Sequence, residues 1–509
     1  MILSVVMYVL WPRGKNYSVS AMCAILLVGG SLYWGLNASA FVWAKPLGGT
    51  PEKVTGSLQA YETQNASFGL VEDIYNSKVD GSCDQRCRIL RQYTNIRHAP
   101  AKAPLRLVER VQPAQGARPN IFIIVIDSLR PDYLGAYNPA VDFTPNLDAL
   151  ARDSVVMRKA FTQYAGTSLS EPAIWSGALL LHSRYMRPFD NVNSLRTLAR
   201  TDGYDLVVTY DHILRKLLSP EDDLIKLDAN KGFQEMEISS TLEQLEAFLQ
   251  DPHRQQDRPV LFYTQPMNIH ELGVNNLPER TAANWRNRPG FSNRIAFKLR
   301  QVDEFLGGFF QYLKSRGLYD NSIIIVTADH GEATAELPGF GLVRRNHSAI
   351  LFPEVMRVPL IVHLPRAMRT QLVWDENRLA ALTDITPSLY YLLGHRPIEL
   401  NPIFGRPLFT ASAEELHRYD RDHLLLASDS RAAYGILSRD GRFIYAAYDS
   451  PKLSLLFDLA NDPSGVHNIV SDELRARYDQ QIFDDLRFLA AFYDFAPDGG
   501  SSAEFSWDR

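Results

Sequence analysis

Residues 119–138 read PNIFIIVIDSLRPDYLGAYN. The run Ile121 to Ile126 is apolar on both faces and β-branched but for Phe122, the pattern of a strand buried within a sheet. It delivers Asp127 where such a strand should end. The chain continues FTPNLDALARDSVVMRKAFTQYA (143–165) and then GTSLSEPAIWSG (166–177), where the hydroxyl-rich turn Gly166-Thr167-Ser168 opens a helix expected to begin between Ser168 and Pro172. A carboxylate at a strand end and a nucleophile at a helix start are two halves of a metal-assisted esterase site.

Outward from this stretch, further strand-like runs alternate with helical patterns. The strands are Asp205 to Tyr210, Val260 to Thr264 and Ile323 to Thr327. The helices include Thr144 to Asp153, Ser240 to Leu249 and Asn293 to Arg316. The expected fold is α/β, a doubly wound, mostly parallel sheet with helices on both faces. Ligand sites in such sheets lie at the carboxyl ends of the strands. Asp127 falls there, and so do Asp329 and His330 in IIIVTADHGE. A buried charge and a histidine at a strand end need partners, and Asp with His suits zinc or manganese, with calcium or magnesium as lesser options. Asp127, Thr167, Asp329 and His330 together make a four-ligand set for a divalent metal.

After about Arg406 the texture changes. Ala432 to Ala447 reads as a hairpin turning at Asp440-Gly441, Leu455 to Leu459 as a strand, and Asp472 to Asp494 as a closing amphipathic helix. This predicts a small C-terminal α+β subdomain. Residues 46–118 read as a linker region with a helical patch around Ser82 to Tyr93. Ala21 to Trp43 carries no charge and is long enough to span a bilayer. Arg13 and Lys15 before it predict a cytoplasmic N-terminus and an extracytoplasmic (periplasmic) catalytic domain. Ala38-Ser39-Ala40 also has the form of a signal-peptide cleavage site. The expected layout is a single-pass anchor over 1–45, the linker over 46–118, the catalytic domain over 119–405 and the subdomain over 406–509.

The 509 residues, 46% hydrophobic and 22% charged, suit a large globular chain. The net charge of -5 argues against a nucleic-acid partner. Of the three cysteines, Cys83 and Cys87 form either a local disulfide or two free thiols. Asp303 sits on an amphipathic helix and is expected on its solvated face, and Glu171 is expected to mark a helix start.

Six segments resemble, in order, the sulfatase-like branch of the alkaline phosphatase superfamily: PNIFIIVIDSLRPDYLGAYN, FTPNLDALARDSV, TADHGE, HSAILFPEVMRVPLIVHLP, LTDITPSLYYLLG and LFDLANDP. The resemblance covers roughly Pro119 to Val470. It implies a metal at the strand ends and a covalent intermediate on the helix-start nucleophile. His270 and His347 resemble the family's substrate-side histidines, which protonate the leaving oxygen or bind the anion.

The chain departs from sulfatases at the nucleophile. Their C-x-P-S-R motif falls on Thr167 to Glu171, and a threonine cannot be oxidised to formylglycine. Ser128 stands where a second metal-binding aspartate is usual. An unmodified threonine resembles the phosphoethanolamine and phosphoglycerol transferases of the superfamily, which are membrane-anchored. The expected function is therefore phosphoryl transfer or phosphoester hydrolysis outside the cytoplasm through a phosphothreonine, on phospholipid-derived or glycan phosphodiesters; the expected partners are a phosphate- or sulfate-ester substrate and membrane lipid. The alternatives are a sulfuric or phosphonate ester hydrolase without formylglycine, and an inactive envelope binding module.

Overall fold

The computed structural model describes principally residues 84–94, 118–181, 189–219, 223–270, 291–332, 351–396, 403–449 and 453–495, with short gaps inside them. All belong to one contact unit, Asp84–Thr334 with Arg345–Arg509. The expected span Ala21 to Trp43 lies outside the described residues, and no helix among those described is long and apolar enough to cross a membrane.

Thirteen strands are present among the described residues: β1 Asn120–Val125, β2 Val155–Val156, β3 Lys159–Phe161, β4 Asp205–Thr209, β5 Leu224–Leu227, β6 Val260–Thr264, β7 Ser322–Thr327, β8 Leu360–His363, β9 Leu379–Ala381, β10 His423–Ala427, β11 Ala433–Ser438, β12 Phe443–Tyr448 and β13 Ser454–Asp458. The helices that matter below are α1 Gln85–Thr94, α2 Pro145–Arg152, α3 Thr167–Ser176, α4 Ser194–Thr201, α5 Ile238–Gln250, α6 Asn293–Ser315, α7 Ile385–Leu392 and α8 Asp472–Phe492.

The large sheet has the order β2-β8-β7-β1-β6-β4-β5. Its central strands β7, β1, β6, β4 and β5 run parallel, whereas β8 is antiparallel to both β7 and β2. Every residue of β1, β6 and β7 is buried, as apolar runs covered by helices on both faces must be. Phe122 of β1 packs edge-on against Phe309 of α6, and Tyr263 of β6 packs against Trp175 of α3. The sheet order makes β6, β1 and β7 immediate neighbours, so their carboxyl ends open onto one place.

The C-terminal sheet β10-β11-β12-β13 is antiparallel throughout. Its β11–β12 turn contains Gly441 at φ +70°, a conformation glycine adopts without a Cβ clash. Helix α8 joins it through Tyr445 Oη, which donates to Asp479 Oδ1 at 2.6 Å. Helix α1, read from sequence as part of a linker, docks on the same sheet: Arg86 bonds Ser454 and the carbonyls of Tyr448 and Leu453. Thr94 Oγ1 pairs with Tyr434 Oη at 2.8 Å. Cys87 is disulfide-bonded, its partner lying outside the described residues.

Two sequence expectations are corrected. Asp303 is not on a solvated face: it is fully buried and accepts from the backbone N–H groups of Asn146 and Leu147 at 3.1 and 2.8 Å. It caps α2 from another helix, where a carboxylate meets the positive end of the dipole. Glu171 does not cap a helix start either. Helix α3 begins at Thr167 after Gly166, and Glu171 is fully buried one turn in.

Candidate active site

Asp127 follows β1, and Asp329 with His330 follows β7. The pairing of those two strands sets their side chains together, and their ligand atoms lie within 4.8 Å of one another. All three residues are fully buried. Thr167, the first residue of α3, brings its hydroxyl into the same space. Its Oγ1 donates to Asp329 Oδ2 at 2.6 Å and lies 3.3 Å from Asp127 Oδ2 and 3.4 Å from His330 Nε2.

The donor set fits a divalent cation. His330 Nδ1 sits 2.8 Å from the carbonyl oxygen of Gly331, which only accepts, so the proton belongs on Nδ1 and Nε2 keeps its lone pair. This is how metal-binding histidines are held. Three oxygens and one nitrogen then converge, two of the oxygens being carboxylates. Burial first, and next the negative charge of Asp127, push Asp329 above the usual carboxylate range. A divalent cation would relieve that repulsion.

Neighbouring residues hold the carboxylates in place. His330 N and Ser128 N donate to Asp329 Oδ1 at 2.9 and 3.3 Å. Ser128 Oγ donates to Asp127 Oδ1 at 2.7 Å. Ser128 has φ +62°, a left-handed conformation that costs a non-glycine residue of order 1–3 kcal/mol. Its role in this arrangement is to orient Asp127. Gly331 has no room for a side chain, because a Cβ there would meet the Glu354 carbonyl oxygen at 2.0 Å.

Sequence reasoning missed two residues. Gln265, directly after β6, is buried, and its Nε2 donates to Asp127 Oδ2 at 3.2 Å and to Asp329 Oδ2 at 2.8 Å. Its position directly after an apolar strand was the one local signal; that the strand lies beside β1 comes only from the structure. Asp429, beyond β10, accepts from Ser168 Oγ at 2.8 Å. No local pattern marks Asp429, since it depends on the docking of β10. There Ala165 N donates to Ala427 O at 3.0 Å and Ala427 N to Gln163 O at 2.8 Å.

Behind Thr167, Glu171 neighbours Asp211, Asp329 and Tyr263. Burial first, then Asp211 and Asp329, push its carboxyl well up. Tyr263 and Glu171 are close enough to shift one another, yet no hydrogen bond of good geometry joins them. Asp211, whose Oδ1 accepts from Ile213 N and Leu214 N, is pushed up to about 6 by burial. His270 is half-buried on the loop after β6, and His347 lies outside the described residues.

A mostly parallel sheet carries an aspartate after β1, an Asp-His pair after β7 and a hydroxyl at a helix start. The sequence profile of the Sulfatase family matches residues 119–395, and the chain belongs to that family, within the alkaline phosphatase superfamily. An N-acetylglucosamine-6-O-sulfatase of Bacteroides thetaiotaomicron is 23% identical over 271 residues, 51% of this chain and 46% of that protein. The lipoteichoic acid synthase-like YvgJ of Bacillus subtilis is 32% identical over 109 residues, 20% of this chain and 17% of that protein. Each match therefore spans less than half of the relative. A solved 2-O GAG sulfatase, 18% identical, superposes with a TM-score of 0.54 over 76% of this chain and 95% of its own, which shows the shared fold.

Proposed function

We propose that this sulfatase-family hydrolase cleaves anionic esters of tetrahedral phosphorus or sulfur through a covalent ester on unmodified Thr167. The observation that carries the reading is the position of Thr167 Oγ1, 2.6 Å from Asp329 Oδ2 and beside the other candidate ligands. Bound to Asp127, Thr167, Asp329 and His330, a divalent metal supplies Lewis-acid stabilisation of the alkoxide and of the developing oxyanion.

The chain's own residues do the rest. The Thr167 hydroxyl donates to Asp329 Oδ2, which holds Oγ1 in place for attack. As Oγ1 bonds to phosphorus or sulfur, its proton leaves to solvent water. The N-terminal end of α3 offers a positive dipole to the attacked group. His270 supplies the proton to the leaving oxygen in this reading, with His347 as the second sequence candidate. Water then attacks the phosphorus or sulfur of the threonyl ester and frees the hydroxyl. A single hydroxyl has no geminal partner through which to expel the group by elimination, which favours phosphorus.

The sulfatase relative and the family profile support the alternative, sulfuric-ester hydrolysis without formylglycine, better than the expected phosphoryl transfer or phosphoester hydrolysis. They also support sulfated sugars among the substrates. Transfer to an alcohol is the second reading, favoured by the short match to the lipoteichoic acid synthase-like protein. The disulfide at Cys87 supports an extracytoplasmic site, and the anchor over 1–45 belongs to the same proposal.

The test is a panel of aryl sulfate, aryl phosphate and aryl phosphodiester with Zn²⁺ or Mn²⁺, read by phenolate release and by mass spectrometry of the Thr167 peptide. A modified Thr167 that turns over on the kinetic timescale is expected. Adding glycerol separates hydrolysis from transfer by its product. Full activity in Thr167→Ala would refute both.

A further inference from the structure

We infer that Gln265 is itself a ligand to the metal, through Oε1, and that it sets the metal preference of the site. The inference rests on the reading that Asp127, Thr167, Asp329 and His330 hold a divalent cation. Gln265 emerges at the end of β6, the strand hydrogen-bonded to β1, so it starts from the same sheet edge as Asp127. The end of its amide lies 3.2 Å from Asp127 Oδ2 and 2.8 Å from Asp329 Oδ2. Thr167 Oγ1 lies 3.3 and 2.6 Å from the same two oxygens. The amide end and the threonine oxygen are thus equivalently placed about one carboxylate pair, at the spacing ligand atoms keep around a shared ion.

The two ends of this amide are unequally served. Nε2 touches both carboxylates, whereas Oε1 is buried with no hydrogen-bond partner among the described residues. A half-turn about the last side-chain bond exchanges the two atoms without moving the rest of the residue. Between carboxylates alone, the N–H₂ end belongs inward. Beside a divalent cation it is repelled, and the carbonyl oxygen belongs there instead. The half-turn gives the orphaned oxygen a cation to bind, while Nε2 gives up its two carboxylates and takes the partnerless position Oε1 held.

The donor set then becomes four oxygens and one nitrogen. Oxygen-rich sets with more than four ligands favour manganese, and four-coordinate sets favour zinc. Gln265 accordingly tilts the site toward Mn²⁺. Leucine is close to glutamine in volume, one atom shorter, and carries no donor or acceptor, so Gln265→Leu removes the ligand.

The experiment titrates the full chain with Mn²⁺, Zn²⁺ and Co²⁺ separately, with no substrate present. In Gln265→Leu, Mn²⁺ affinity should fall by at least about tenfold and Zn²⁺ affinity much less. The visible band of bound Co²⁺ should strengthen and move to longer wavelength as the coordination number falls. Gln265→Glu, which keeps an oxygen at that position, should retain the wild-type band and carries the test if the leucine variant does not fold. Equal losses for Mn²⁺ and Zn²⁺ with an unchanged Co²⁺ band would mean that Gln265 acts only by hydrogen bonding, and would overturn the inference. Unchanged affinities would overturn it too. A wild-type chain that binds no metal would overturn the metal reading as well, which separates the two failures.

Discussion

Replacing Asp329 by asparagine should stabilise the metal-free protein while removing its response to metal. The ligand oxygens of Asp127 and Asp329 lie within 4.8 Å in a fully buried site. Two unit charges at that distance repel by about 3 kcal/mol at an effective dielectric near 20. The asparagine keeps one oxygen to accept from His330 N and Ser128 N. It loses the Oδ2 acceptor of Thr167 and Gln265, a cost of about 1 kcal/mol because both donors retain Asp127. The net gain is about 2 kcal/mol, or a rise of a few degrees in Tm. With metal the order reverses. At about a thousand times the dissociation constant, wild type gains about 4 kcal/mol and the variant gains little. Calorimetric melting with chelator and then with excess Mn²⁺ or Zn²⁺ reads both halves. If Asp329→Asn lowers the Tm of the chelated protein, carboxylate crowding is the wrong account of the site. If metal raises both proteins equally, it binds elsewhere.

Three further outcomes follow from the same geometry. Thr167→Ser should keep kcat/KM within about tenfold and still form the covalent ester, whereas Thr167→Ala should lose at least about a thousandfold, measured on the best substrate of the panel. Asp303→Ala should cost about 3 kcal/mol by chemical denaturation, since it strips a buried charged cap, and Asp303→Asn about 1; a loss below 0.5 kcal/mol for alanine would return the residue to a solvated role. Asp211 is neutral in the folded chain below about 6 but ionises near 3.8 when unfolded. The native state therefore binds the extra proton between those values. Stability should fall by about 3 kcal/mol as pH rises through that window, and Asp211→Asn, which keeps the acceptor for Ile213 N and Leu214 N, should flatten the slope.

The parallel sheet was legible because β1, β6 and β7 are covered on both faces, and such coverage writes itself as unbroken apolar runs. Asp127 and the Asp329-His330 pair were legible for the complementary reason: charge placed directly after such a run has nowhere to go but a strand-end site. Residues whose roles depend on distant partners were not. Asp303 sits in an amphipathic helix pattern that is the same whether its carboxylate meets water or the end of α2. Gln265 and Asp429 carry ordinary polar side chains, and only the neighbour order β6-β1-β7 and the docking of β10 bring them to the centre. Glu171 looked like a helix-start residue because the first turn of α3 was placed slightly late. Helix α1 looked like linker because its partners lie in the C-terminal sheet, far along the chain.

The contact between β10 and the turn before α3 carries a consequence for how the enzyme comes into being. Ser168 and its partner Asp429 are 261 positions apart, so a ribosome releases Asp127, Thr167, Asp329 and His330 well before the clamp on the turn before α3 exists. Contacts this distant in sequence form late and slowly. A nascent chain halted near residue 400 would hold every candidate metal ligand while its threonine turn still lacked β10. Under the proposed function, turnover would then begin only once the last sheet had closed, and its onset would time the end of folding.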